Sequence, residues 1–317
     1  MKAVFLDYAT MGPGLDLAPL QRHFSTLELF DVTGPTDIAA RIDGVEFVFA
    51  NKTRLSGELL RAASALRFIG LTATGTDNVD IATAGKQGIA VANIRDYCTQ
   101  SVVEHVIGSL LMLTHNLARY DRSVRAGDWA RAANFCMLHH PIRELADMTI
   151  GIIGYGALGQ GVAKAAAALG MQVLVAARPG TENPATNRVA FDELLRRCDV
   201  ISLHCPLTEA TRGLFNADTI ARMRPGAILV NTARGALVES QALVAALRSG
   251  HLSGAAIDVL PNEPPVAGDP LLDCSDDNLV LTPHIAWGTG RARQNAINEL
   301  AANAAAFLQG EHRNRIV

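Results

Sequence analysis

A glycine-rich turn constrains the fold of this chain more than any other feature. The pattern Gly154-x-Gly156-x-x-Gly159 ends the apolar segment TIGIIG and opens an alanine-rich segment of helical character. In such a turn, Gly154 permits the sharp bend, Gly156 lets a pyrophosphate approach the backbone, and Gly159 lets the helix lie close to the strand. The helix N-terminus offers free N–H groups to the phosphates. The pattern favours a dinucleotide site over a bare strand-to-helix turn without a ligand.

Apolar runs and helical stretches alternate in two blocks of the chain, at about residues 1–98 and 149–283. The first block contains KAVFL, LELFDV, VEFVFA, RFIGLT and IAVANI, with a helical segment at 56–65. The second contains TIGIIG, QVLVAA, DVISLH, AILVNT, GAAIDV and NLVLTP, whose weak alternation is typical of strands buried on both faces. This order of elements predicts an α/β protein built on parallel sheets.

Three further segments connect or follow these blocks. Residues 101–117 are apolar on nearly every face, which predicts a helix that buries more than one side. Residues 118–145 are polar and irregular, and long for a loop within a compact domain. An arm that embraces a second subunit and a simple surface excursion are both open interpretations. Residues 288–310 are alanine-rich with helical periodicity, and we expect them to pack on the first block.

Charge and cysteine usage exclude several classes of partner. The net charge of −3 gives no polybasic surface for nucleic acid, and no apolar stretch is long enough to span a bilayer. The five cysteines are scattered and form no C-x-x-C pair, which predicts a reduced, cytoplasmic protein. Cys136, His139 and His140 lack a second ligand cluster, so we predict no metal site.

The end of the strand QVLVAA bears on the choice of cofactor. A carboxylate at this position would accept hydrogen bonds from the adenosine ribose and repel a 2′-phosphate, but the chain has Ala177 there, followed by Arg178. The Arg178 guanidinium is suited to pair with a phosphate. The sequence therefore favours NADP(H) over NAD(H). In the alternative, Arg178 is a solvated turn residue and NAD is used.

Three polar residues follow successive strands of the second block. Arg234 follows AILVNT, Glu263 follows GAAIDV, and His284 follows NLVLTP. Ligands of open α/β sheets bind at the carboxyl ends of the strands, where these side chains are expected. Histidine is suited to proton transfer near neutral pH, a neighbouring carboxylate favours its protonated form, and a guanidinium binds a carboxylate through two parallel bonds. Any one of these residues alone is more often structural than catalytic, but the three together in this order predict carbonyl reduction.

Over essentially its whole length the chain resembles the D-isomer-specific 2-hydroxyacid dehydrogenases, in particular their glycerate dehydrogenase or hydroxypyruvate (glyoxylate) reductase branch. The segments that carry the resemblance are SVVEH, GIIGYGALGQGVAKAAAALGMQVL, HCPLTEATRGLFN, MRPGAILVNTARGALVES, AAIDVLPNEPP and LTPHIAW. The resemblance implies two Rossmann-like doubly wound parallel-sheet domains. A flavodoxin-like substrate domain would comprise residues 1–98 and 286–317. The NAD(P)-binding domain, residues 99–285, would be inserted into it and carry a dimerisation arm at 118–148 of a homodimer.

The resemblance also implies roles for individual residues. Arg234 would bind the substrate's carboxylate and keto oxygen, His284 would donate and accept the proton, and Glu263 would pair with His284. The substrate would be a small 2-keto or D-2-hydroxy acid, such as hydroxypyruvate/glycerate or glyoxylate/glycolate. The further substrate-binding residues would be Asn51, Lys52, Thr74, Gly75, Thr76 and Trp287. The cofactor-binding residues would be Val102, Gly154, Gly156, Ala157, Leu158, Gly159, Cys205, Pro206, Thr211, Thr232, Ala233, Asp258, His284 and Ala286. To these the chemistry of the strand end adds Arg178, at a place where many relatives carry an acid and this chain departs from them.

Other functions and roles remain open from the sequence alone. The same fold serves as a cofactor-sensing binding protein of the corepressor type, and formate or phosphite is an alternative hydride source. Trp287 follows His284 closely and either limits the substrate's side chain or packs a hinge between the domains. His204 and Cys205 are expected to wall the cofactor groove, and His105 to be a core residue.

Overall fold

The computed structural model describes residues 1–178, 187–274 and 277–317. The chain forms two compact units, the first made of Met1–Cys98 with Gly288–Val317 and the second of Thr99–Trp287. The sequence predicts that the second segment of the first unit begins at residue 286, whereas in the structure it begins at Gly288. Ala286 stays with the second unit because its N–H donates to Asp258 and its carbonyl accepts from Ser101.

Strands and helices are numbered in chain order. The strands are β1 (Lys2–Phe5), β2 (Thr26–Leu29), β3 (Phe47–Ala50), β4 (Phe68–Leu71), β5 (Ala90–Ala92), β6 (Thr149–Ile153), β7 (Gln172–Val175), β8 (Val200–Leu203), β9 (Ala227–Asn231), β10 (Leu252–Ile257) and β11 (Leu279–Leu281). The helices are α1 (Ala18–Gln21), α2 (Ile38–Ile42), α3 (Gly57–Ala62), α4 (Ile81–Lys86), α5 (Thr99–Thr114), α6 (Leu117–Arg125), α7 (Ala157–Ala168), α8 (Phe191–Arg197), α9 (Ala217–Ala221), α10 (Ser240–Arg248) and α11 (Gly290–Leu308).

The first unit is a parallel sheet with the strand order β2-β1-β3-β4-β5. This is the flavodoxin-like order, as predicted. Helix α11 covers one part of the sheet, and its Phe307 ring lies 5.7 Å from the ring of Phe47 and 5.0 Å from that of Phe68. Gly70 of β4 allows this close approach, because a Cβ there would lie 2.7 Å from a methyl carbon of Leu300.

The second unit is a parallel sheet with the order β11-β10-β9-β8-β6-β7. A single parallel bridge, Ala176 to Val189, extends it beyond β7 at the place of the third strand of a Rossmann sheet. The chain changes direction of winding between β6 and β8, and the carboxyl ends of these two strands mark the topological switch point. The predicted doubly wound α/β class is therefore confirmed for both units.

The segment between the two sheets differs in part from the prediction. Helix α5 is buried along several faces and packs on α7, where Gly161 lies so close that a Cβ would be 2.9 Å from Val103. Asn116, with a left-handed φ of 51°, separates α5 from α6. Helix α6 corrects the expectation of an irregular stretch, and none of its residues is buried. Among the described residues, no helix combines the length and apolar character needed to cross a membrane.

Candidate active site

The glycine turn joins β6 to α7 at the switch point of the second unit. Gly154 has a φ of 94°, and a Cβ there would lie 2.4 Å from the backbone nitrogen of Cys205. At Gly159 a Cβ would lie 2.0 Å from the Gly154 carbonyl oxygen, so the helix rests directly on the turn. Nothing lies within 4 Å of the Cβ position at Gly156. The turn thus leaves open space above Gly156, beside the first residues of α7, Ala157 and Leu158.

Two buried polar atoms near this turn have no hydrogen-bond partner within the described part of the chain. They are Nδ1 of His204 and Oγ1 of Thr232, which follow β8 and β9. Burial lowers the pKa of His204 to about 4, so the ring is neutral, and its Nε2 lies 2.9 Å from the Ser202 hydroxyl. Buried polar atoms are almost always hydrogen-bonded. Their position at the carboxyl edge, with the open cradle at Gly156, fits a bound nicotinamide dinucleotide.

The strand end that bears on cofactor choice lies at the bridge beyond β7. Ala177 is buried, and its N–H donates to the Val189 carbonyl at 2.8 Å. Arg178 is exposed. Positions 177 and 178 carry alanine and arginine, so neither supplies the acidic side chain that would bind the ribose diol of NAD. Residues 179–186 lie outside the described part of the chain.

The loop that carries Arg234 is fixed by a buried asparagine and a glycine. The Asn231 side chain accepts from the Ala233 N–H at 3.0 Å and donates to the Arg234 carbonyl at 2.9 Å. Gly235 lies against the chain after β10, and a Cβ there would be 1.9 Å from the Leu260 carbonyl carbon. This contact fixes the Arg234 loop against the loop that leads to Glu263.

Glu263 and His284 form a close pair. Glu263 Oε2 lies 2.6 Å from His284 Nδ1, and Glu263 Oε1 accepts from the Leu260 N–H at 2.9 Å. The side chains of His284 and Glu263 are 24% and 29% exposed, so the pair is partly shielded yet open to a ligand. His284 has a left-handed φ of 57°. With Nδ1 held by the carboxylate, Nε2 is the ring nitrogen left for a substrate.

Asp258 anchors the chain that follows His284. Its carboxylate is 1% exposed and accepts from the Ile285 and Ala286 N–H groups, both at 2.8 Å, and from the Thr282 hydroxyl at 2.6 Å. The Asp258 carbonyl also accepts from the His284 N–H at 2.7 Å. Sequence reasoning placed Asp258 near the nicotinamide and missed this anchoring. The structure engages both of its carboxylate oxygens in holding the backbone beside His284.

Several other residues predicted for the second unit's site are hydrogen-bonded or buried within that unit. The Thr211 hydroxyl donates to the Pro206 carbonyl at 2.8 Å, and the Trp287 indole N–H donates to the His284 carbonyl at 3.0 Å. Burial raises the pKa of the Cys205 thiol, which keeps it protonated. Val102 is buried on α5.

Two of the predicted substrate residues of the first unit, Asn51 and Lys52, are held by a buried aspartate. Asp7, at the end of β1, accepts from the backbone N–H groups of Asn51 and Lys52 at 2.8 and 2.7 Å. Thr74 donates its hydroxyl to the Ile94 carbonyl, and Gly75 and Thr76 follow in the same loop. Asp7 was not singled out from the sequence, although an acid directly after an apolar strand is a signal of this kind.

The doubly wound sheet, the glycine turn and the histidine–carboxylate pair define a nicotinamide-dependent oxidoreductase. Residues 107–286 match the family model described as "D-isomer specific 2-hydroxyacid dehydrogenase, NAD binding domain". Glycerate dehydrogenase of Methylorubrum extorquens is 40% identical over 313 residues, which cover 99% of this chain and 98% of that protein. Hydroxypyruvate reductase of Blautia hydrogenotrophica is 38% identical, with 98% of each chain covered.

A solved structure gives the same result for the fold. An acyclic imino acid reductase in complex with NADPH and D-Arg superposes with a TM-score of 0.88, at 27% identity and with 100% of each chain covered. The chain therefore belongs to the D-isomer-specific 2-hydroxyacid dehydrogenases, as its sequence motifs suggest. It is an enzyme of that class, acting on the CH–OH group of 2-hydroxy acids with a nicotinamide cofactor.

Proposed function

We propose that this enzyme interconverts a small 2-keto acid and the corresponding D-2-hydroxy acid, with hydroxypyruvate and glyoxylate as the preferred keto acids. The observation that carries the proposal is the His284–Glu263 pair at 2.6 Å, on loops locked by Asp258 and Gly235. The names of the relatives from Methylorubrum extorquens and Blautia hydrogenotrophica support the choice of substrate.

The proposed mechanism assigns the proton to His284 and the substrate's charge to Arg234. The cofactor, whose pyrophosphate the glycine turn would hold, would supply or accept the hydride through its nicotinamide ring. His284 Nε2 donates a proton to the keto oxygen as negative charge develops there, and Glu263 stabilises the imidazolium and orients the ring through Nδ1. Arg234 binds the substrate carboxylate with its planar guanidinium. In the reverse direction, neutral His284 accepts the hydroxyl proton.

Trp287 completes the proposed substrate contacts of the second unit, while the substrate-binding roles expected for Asn51, Lys52, Thr74, Gly75 and Thr76 stay predictions. The Trp287 indole is tethered to the His284 carbonyl and would restrict the substrate's side chain to a small group such as hydroxymethyl.

We propose NADP(H) as the preferred cofactor. The strand end carries buried Ala177 in place of an acid, and exposed Arg178 follows it. A 2′-phosphate therefore meets no carboxylate at these two positions. The structural neighbour solved with NADPH shows that a protein of this fold takes that cofactor.

We propose that the enzyme is a cytoplasmic homodimer that pairs through the arm at 118–148. Large apolar side chains are exposed along it: Trp129 by 51%, Phe135 by 89% and Leu138 by 75%. Exposed apolar groups concentrated in one segment mark an association surface. None of the five cysteines, all within the described residues, forms a disulfide, in keeping with a reducing compartment. Sedimentation of wild type and the double variant F135S/L138S tests the interface, because the variant should sediment as a monomer.

Initial rates test the proposed reaction. Purified enzyme should oxidise NADPH with hydroxypyruvate and glyoxylate, and should turn over a bulkier 2-keto acid more slowly. Parallel reactions with NADH measure the cofactor preference. The variant W287A should reduce the difference in rate between small and bulky 2-keto acids. Failure to reduce any 2-keto acid with either cofactor would reject the proposed function.

A further inference from the structure

A second arginine lies beside the strand end that determines cofactor choice. Arg188 was not singled out from the sequence, because it stands ten positions beyond Arg178 in a polar stretch. Its guanidinium carbon lies 5.2 Å from the centre of the Tyr155 ring, and its Nη1 donates to the Ala176 carbonyl at 3.1 Å. Tyr155 is the residue between the first two glycines of the turn. The guanidinium is therefore held between the glycine turn and the end of β7.

The backbone fixes this position independently of the side-chain contacts. The Val189 N–H donates to the Val175 carbonyl at 2.9 Å, and the Ala177 N–H donates to the Val189 carbonyl at 2.8 Å. These two bonds return the chain alongside β7 and set Arg188 next to the last residues of that strand. In a Rossmann fold, the adenosine ribose binds at this place.

The charge of Arg188 is not neutralised within the described part of the chain. Its guanidinium makes one hydrogen bond there, to a backbone carbonyl, and no ion pair. The acids on the first turn of the following helix α8 are engaged elsewhere, Asp192 with Arg222 and Glu193 with Arg197. A half-buried guanidinium with spare donors, stacked on an aromatic ring, is arranged in advance to bind an anion.

We propose that Arg188 is the specificity-determining residue for the 2′-phosphate of NADP(H), with Tyr155 positioning its guanidinium. Arg178 is exposed and has no such support from the described residues, so we expect its contribution to specificity to be the smaller one. This inference rests on the proposed preference for NADP(H) and identifies the side chain responsible. It concerns only the adenosine end of the cofactor.

Calorimetric titration of the protein without keto acid tests the assignment, with NADP⁺ and NAD⁺ as ligands that differ only in the 2′-phosphate. We expect R188Q to weaken NADP⁺ binding roughly 10- to 100-fold, the range for loss of a charge-assisted contact, and NAD⁺ binding less than about 3-fold. R178Q should change the ratio of the two affinities less than R188Q does. R196Q is the matched control, because Arg196 is exposed near the distal end of α8.

Several outcomes would overturn the assignment. In the first, the wild type binds NAD⁺ more tightly than NADP⁺. In the second, R188Q loses affinity for both ligands equally. In the third, R178Q loses more of its preference for NADP⁺ than R188Q does. If R188Q does not fold, R188K decides, because a lysine keeps the charge but not the planar fork and should lose part of the selectivity. An unchanged ratio in R188K would then contradict the proposal. Since no keto acid is used, failure of the proposed reaction would be seen separately, in the rate measurements.

Discussion

Replacing Asp258 with asparagine is the sharpest perturbation of the site that leaves its volume unchanged. The carboxylate is 1% exposed and accepts from three donors: the N–H groups of Ile285 and Ala286 and the hydroxyl of Thr282. An asparagine retains one acceptor oxygen. Its amide nitrogen must then face a backbone N–H or the Thr282 hydroxyl, at a position buried from bulk solvent.

The expected loss of stability follows from the hydrogen bonds that D258N removes. With the amide oxygen at the Oδ1 position, the bonds from Ile285 and Thr282 remain, but the Ala286 N–H loses its acceptor. A hydrogen bond to a charged group contributes about 1.5–3 kcal/mol, and an unsatisfied buried donor costs about 1–3 kcal/mol. We therefore expect D258N to lower the free energy of unfolding by about 2–4 kcal/mol. We also expect a fall in kcat of roughly 10-fold or more, because the freed backbone directly follows His284.

Urea unfolding followed by tryptophan fluorescence measures the loss in the relevant unit, because both tryptophans, Trp129 and Trp287, belong to it. T282V removes only the hydroxyl donor and should cost about 1 kcal/mol. D192N is the control, since Asp192 forms an exposed ion pair with Arg222 worth less than about 1 kcal/mol. An unfolding free energy for D258N within about 0.5 kcal/mol of wild type would refute the anchoring role.

Three further predictions concern the same unit. H284N should keep the fold, because asparagine tolerates the left-handed φ of 57°, while kcat falls roughly 10²- to 10⁴-fold in steady-state assays. G235A should cost about 3 kcal/mol or more in urea unfolding, because its Cβ would lie 1.9 Å from the Leu260 carbonyl carbon; a cost near zero would contradict the packing. Burial lowers the pKa of His204 from its ordinary value of 6.5 to about 4 in the folded protein, so the unfolded chain binds more protons between these values. Stability should fall as the pH drops from about 6.5 to 4, by up to about 3 kcal/mol more than in H204N.

The strands were predictable from the sequence because their signal is local. Buried parallel strands such as β8 and β9 are continuous apolar runs, and turn residues mark where they end. Helix α6 was not predicted, because its few apolar residues, Leu117, Tyr120 and Val124, stand among charged side chains and none of its residues is buried. Its remaining local signal is the ion pair of Asp121 with Arg125, one helical turn apart.

The candidate site could be predicted only through one rule, that the carboxyl ends of parallel strands meet at one edge of the sheet. That rule brings Glu263 and His284 together, and the structure places them 2.6 Å apart, while their catalytic roles stay predictions. The contacts that hold the surrounding loops and side chains in place could not be predicted. The bonds from Ile285 and Ala286 to Asp258, and the place of Arg188 beside Tyr155, depend on contacts across the fold that no local pattern encodes.

The interruption of the first unit by the second has a consequence for biosynthesis. Residues 1–98 leave the ribosome early, but the aromatic cluster of Phe47 and Phe68 lacks its cover until α11 supplies Phe307. The inserted unit is contiguous in the chain and has everything it needs to fold once Trp287 has emerged. The inserted unit is therefore complete before the first unit, and the apolar sheet formed by residues 1–98 stays partly uncovered until α11 has been synthesised.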